Sequence, residues 1–137
     1  MKGKTAEEVI SDLVSLLKRS GIEQEITGKV YRDDLRPKDS RLEDITVHFI
    51  TGLSGEVETG VAALNAYIAP KDLYDDGVLR KDTKRVMEIQ RLLADWLAST
   101  PAADNYLIES ENILTGEYDH ELKQHYINVR LRFQYFD

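Results

Sequence analysis

Near the C-terminus, H-Y-I-N-V-R-L-R-F-Q-Y-F (125–136) alternates without a break. Ile127, Val129, Leu131, Phe133 and Tyr135 fall on one parity, and Asn128, Arg130, Arg132 and Gln134 on the other. Successive side chains of a strand point to opposite faces, so this pattern specifies a long strand with one buried face and one wet face. Only an antiparallel sheet covered on a single side accommodates such a strand comfortably. The rest of the chain has to supply the cover and the neighbouring strands.

Two helices are predicted as the cover. Thr5 and Glu8 form the T-x-x-E pattern of a capping box. Behind them Val9, Leu13, Leu16 and Leu17, widened by Ile10 and Val14, make an apolar stripe at helical spacing over about 6–20. Lys18 and Arg19 suit the last turn, and Gly21 suits the position just past the end. A second helix, capped by Asp82 or Thr83 and running to about Ala98, carries Val86, Ile89, Leu93, Trp96 and Leu97 on one stripe, and Ser99-Thr100-Pro101 stops it. Trp96 lies on that stripe and is read as core.

The neighbouring strands come mainly from 39–70. Ile45, Val47 and Phe49 alternate with Thr46, His48 and Ile50; Leu64, Ala66 and Ile68 alternate with Ala63, Asn65 and Tyr67; Pro70 ends the second run. These two segments are expected to form a hairpin in the middle of the sheet. Glu25–Tyr31 is expected to form a further strand in which Gly28 marks a bulge, a close approach or an edge. Tyr106–Ser110 is expected to form another, followed by an acidic connection over 117–124. Runs of strands without βαβ regularity give an α+β fold: a mainly antiparallel sheet of four to five strands with both helices on one face. A length of 137 residues fits one domain, residues 1–137.

Composition narrows the function classes. Hydrophobic residues are 42% and charged residues 31%, the balance of a globular chain. No Cys is present, which removes disulfides and Cys-based zinc sites. Neither a signal peptide nor a run long enough to span a membrane is visible, so a soluble, cytoplasmic protein is expected. The net charge of −7 opposes a protein that grips nucleic acid, since phosphate neutralisation needs a basic face.

Chemistry-bearing constellations are sparse. No nucleophile elbow or phosphate-binding Gly-rich loop occurs, and His48 falls mid-strand. His120 and His125, with Asp119 and Glu121 nearby, lack the helical i, i+4 spacing of a metal pair. Asp72, Asp75, Asp76 and Gly77 miss the calcium-loop spacing and read as a turn. No catalytic residue, cofactor or metal is assigned, and a non-enzymatic role is expected. What stands out is R-D-D-L-R-P-K-D-S-R-L-E (32–43), with four basic and four acidic residues and no period. It reads as a long mobile loop, and a loop of this length in a compact domain is often functional. Arg32, Asp33, Arg36, Lys38, Asp39 and Arg41 are the candidates for contact with a partner subunit.

Three stretches carry a family resemblance: D-S-R-L-E-D-I-T-V at 39–47; V-A-A-L-N-A-Y-I-A-P at 61–70, where Asn65, Tyr67 and Pro70 match a V-N-x-Y-V-P strand; and K-D-T-K-R-V-M-E-I-Q-R-L-L at 81–93, followed by the amphipathic terminal strand. Together they resemble the phage tail terminator and tail completion proteins, the head–tail joining family. The resemblance implies a homo-oligomeric ring, usually of six copies, that caps the tail tube and docks to head-completion proteins while DNA passes through. It implies assembly in the cytoplasm, a place in the virion, and no catalytic residues. An acidic surface and charged loops suit such a conduit. The competing readings are a small non-catalytic interaction or adaptor domain and, further off, a metal-dependent enzyme using His120 and His125.

Overall fold

A computed structural model describes residues 3–52, 58–99, 105–111 and 114–136. The elements are α1 (Ala6–Arg19), β1 (Val30–Arg32), β2 (Ile45–Gly52), β3 (Thr59–Ile68), α2 (Thr83–Ser99), β4 (Tyr106–Ser110), β5 (Thr115–Asp119) and β6 (Gln124–Tyr135), with short 3₁₀ turns at Ile22–Gln24 and Asp33–Leu35. The fold is α+β. The sheet order is β1-β2-β3-β6-β4, and β5 pairs with the first half of β6. Every pairing is antiparallel except β1 with β2.

The β2–β3 hairpin sits where the alternation places it. Leu64 lies between Val47 and Val129, and Ala66 between Ile45 and Ile127, so the apolar parities of three strands share one face. That face and both helices form a single core that includes Val9, Leu13 and Leu17 of α1 and Val86, Ile89, Leu93 and Trp96 of α2. Trp96 is core, as its place on the stripe predicts, and is only 5% exposed. The opposite face carries Thr46, His48, Asn65, Asn128 and Arg130, of which Thr46 is buried; Asn128 donates to the Asn65 side chain at 2.8 Å across the β3–β6 pair. Ile50 has no ladder partner, because the β2–β3 register shifts between Phe49 and Thr51. An extra residue here bends the strand and lets Phe49 reach Phe133, at 6.1 Å between ring centres.

Both helix signals are realised. The Glu8 amide donates to the Thr5 hydroxyl and the Thr5 amide donates to the Glu8 carboxylate, and Gly21 takes the left-handed conformation, φ 81°, that ends the helix. The capping bonds hold the Glu8 carboxyl below its ordinary range. At α2 the Asp82 carboxylate accepts from the Arg85 amide, so Asp82 is the cap. Tyr106 ties β4 to α1 by donating to Asp12 at 2.6 Å; burial first, and then this bond, push its phenol upward.

Two expectations need correction. Only 30–32 of the expected 25–31 strand pairs, because the preceding amides are taken by the segment just before β2. Thr27 donates to the Glu43 carboxylate, Gly28 to the Glu43 carbonyl and Lys29 to the Asp44 carboxylate. Gly28 is a close approach: a Cβ there would lie 2.7 Å from the Glu43 carbonyl oxygen. The supposed acidic connection contains β5, which raises the sheet to six strands. T-G-E-Y-D has little hydrophobic alternation; it becomes a strand because β4 pairs only with Leu131–Tyr135 and leaves the first half of β6 to be covered. Lys123, at φ 55°, closes the tight turn between them, with its amide on the Asp119 carbonyl at 2.8 Å.

Candidate functional site

The charged loop runs from the end of β1 to the start of β2, and the structure shows it clamped rather than loose. Arg36 is the clamp. Its Nε donates to Asp44 Oδ2 at 2.9 Å, and its Nη2 donates to Gln124 Oε1 at 3.0 Å and to the carbonyls of Ser40 and Leu42 at 3.3 Å. The guanidinium also lies 3.9 Å from the centre of the Tyr67 ring. The Arg36 side chain is 8% exposed and that of Asp44 1%. The remaining lone pairs of Asp44 are used: Oδ2 accepts from the Ser40 hydroxyl at 2.5 Å and Oδ1 from the Lys29 amide at 3.0 Å. Gln124 in turn donates to the Ser40 carbonyl at 3.0 Å. The pair is therefore enclosed and satisfied on both sides, the condition under which a buried ion pair is tolerated.

A second clamp holds the segment that leads into β2. Arg85, on α2, meets Glu43 with two bonds of 2.7 Å, from Nε and Nη2, the fork geometry matched to a carboxylate. Its Nη2 also reaches the Glu25 carbonyl at 2.6 Å. The bond to Glu43 holds the Arg85 guanidinium above its ordinary range.

The other candidates divide into two groups. Arg32 pairs with Glu7 and donates to the Ser11 hydroxyl at 2.8 Å, fixing the start of the loop on α1. Arg41 donates to the Leu122 carbonyl at 2.8 Å, fixing its far end on the β5–β6 turn. Asp33, Lys38 and Asp39 are exposed and have no polar partner among the described residues. Beside them Leu35 and Leu42 are 61% and 51% exposed. The arginines hold the loop in place while Asp33, Asp34, Lys38, Asp39 and the two leucines face outward.

Sequence reasoning singled out the loop and missed what holds it. Asp44 looks like a strand-flanking acid, Gln124 lies 88 residues from Arg36 and Arg85 lies 42 from Glu43, separations at which no local pattern speaks. The only local signal was the isolated Gly28 opposite an acidic pair. Elsewhere, the Asp-rich stretch is a turn: Asp72 accepts from the amides of Asp76 and Gly77, and Asp76 pairs with Arg80 at 2.9 Å. His120 and His125 both pack on the Tyr118 ring, at 4.9 and 4.8 Å between centres. Among the described residues no group of three or more His, Asp or Glu is placed to hold a metal, and no helix is long and apolar enough to cross a membrane.

Comparisons with protein-family models, curated proteins and solved structures find no match.

Proposed function

We propose that the protein is a ring-forming structural component of the tail terminator or head–tail joining kind, in which the 33–43 loop meets a neighbouring copy. The observation that carries this reading is the loop itself. Leu35 and Leu42 stand in water on a segment whose backbone is anchored by the enclosed Arg36–Asp44 pair. A preorganised segment forfeits little conformational entropy on docking, so its outward leucines and unpaired charges are suited to association. Leucines and charges that do not match their own surface form a heterologous contact, and repeated heterologous contacts close into a ring when the rotation permits. The resemblance of 39–47, 61–70 and 81–93 to the head–tail joining family supplies the biological setting, and the net charge of −7 suits a wall past which DNA slides.

Light scattering and negative-stain microscopy across a concentration series test the proposal. Wild type is expected to form closed rings. The Leu35→Asp/Leu42→Asp double variant is expected to stay monomeric with an unchanged circular-dichroism spectrum. Wild type that remains a folded monomer at millimolar concentration would sink the ring, and a monomer that captures a different protein through the same loop would favour the adaptor reading.

A further inference from the structure

On the helix side of the sheet, beside the β5–β6 turn, lies a cavity of about 550 Å³ with an unusual lining for an acidic protein. Arg41, Arg80, Lys81, Lys123 and His125 border it, and no carboxylate does among the described residues. Asp76 neutralises Arg80 through two bonds of 2.9 and 3.0 Å. Arg41 spends its guanidinium on backbone carbonyls and keeps its charge. Lys81 and Lys123 have no ion pair among the described residues. Three uncompensated cations therefore surround one space. They come from three parts of the chain brought together: the Lys71–Arg80 bridge delivers Lys81, the turn closed by Asp119 and Lys123 delivers Lys123, and the charged loop delivers Arg41, which bonds that turn at the Leu122 carbonyl.

The remaining wall is apolar. Pro70 lines it, with Leu79 61% and Tyr118 40% exposed. His125 Nδ1 is buried without a hydrogen-bond partner. Burial first, and the nearby Lys81 cation second, hold this imidazole below its ordinary range. Like charges held together around a cavity repel one another, and a bound dianion reverses that cost by accepting charge-assisted bonds from several of them. The volume falls within the roughly 300–1,000 Å³ of small-molecule sites, well beyond what a bare phosphate fills. We propose that this cavity binds an organic phosphate, its dianion among Arg41, Lys81 and Lys123 and its body against Tyr118, Leu79 and Pro70.

The site shares Arg41 with the loop proposed to meet a neighbouring copy, but its test reads small-molecule binding alone. The probes are AMP, inorganic phosphate and adenosine, followed by calorimetry and by the His125 ring resonances in NMR. AMP is expected to bind in the millimolar range or tighter, more strongly than phosphate, with adenosine weakest, and to raise the His125 pKa. Lys81→Ala/Lys123→Ala is expected to weaken AMP by about tenfold or more, since each lost bond to a charged group is worth about that factor. Lys84→Ala, outside the cavity, is expected to bind as wild type. The proposal is overturned if no probe moves His125 at millimolar concentration, if adenosine binds as well as AMP, or if the double variant binds AMP unchanged. Binding of a Glu-rich peptide without binding of AMP or phosphate also overturns it, since the surface would then serve a protein partner.

Discussion

Taking a guanidinium down to 8% exposure and a carboxylate to 1% costs several kcal/mol of hydration, and their mutual attraction does little more than return it. The Arg36–Asp44 pair therefore adds little net stability, yet losing one partner is severe. Arg36→Ala leaves Asp44 buried against the Ser40 hydroxyl and the Lys29 amide with no counter-charge. It is expected to cost roughly 3–5 kcal/mol in urea unfolding; a loss well under 1 kcal/mol would mean that water reaches the pair. His125 gives a pH effect with a definite sign. Its folded pKa lies below the ordinary 6.5, so the native state favours the neutral ring. The associated stability is complete above about pH 6.5, and is lost as pH falls toward the depressed folded value, because the unfolded chain protonates first. The urea midpoint of wild type is expected to fall more steeply between neutral pH and about pH 5 than that of His125→Asn. Parallel pH profiles would remove His125 from the acid response.

Strand β6 shows how an element inherits two environments from one alternation. Leu131 is fully buried in the core, whereas the side chain of Arg132, the next residue, is 67% exposed with its nearest carboxylate, Glu111, at 3.9 Å. Leu131→Ala is expected to destabilise by about 2–5 kcal/mol. Arg132→Ala is expected to stay within about 0.5 kcal/mol, as surface changes do. Equal effects in thermal or urea melts would contradict a sheet covered on one face. At this scale the helices and the long strands were legible, because a cap, a 3.6-residue stripe and a strict alternation are local facts. Residues 25–29 and β5 were not. The first diverts its amides to Glu43 and Asp44, and the second is a strand only because half of β6 needs a partner.

Across the molecule, α1, α2 and the inner sheet face share one apolar cluster, and Tyr106–Asp12 and Arg85–Glu43 bind the helices to opposite parts of it. Such a core has no seam along which to come apart. Trp96 fluorescence, which reports on α2, and far-UV circular dichroism are expected to trace coincident urea transitions. A separate early transition in either signal would show that one helix unfolds independently. Arg32, Arg36 and Arg41 were visible as a charged cluster in a loop without period, and so was the loop's candidacy as a contact surface. Its rigidity was not visible, because the groups that hold it, Ser11, Asp44, Tyr67, Leu122 and Gln124, come from α1, the residue before β2, β3, the β5–β6 turn and the start of β6. The same is true of the cationic cavity, whose lysines stand 42 positions apart within a stretch that reads as acidic. The amino-acid sequence by itself determined the helices, the central hairpin, the terminal strand and the α+β class, because each is written in the spacing of neighbours. Only the tertiary structure decided which charges are buried, which are paired and which face a common space, because those depend on residues that become neighbours only when the sheet closes.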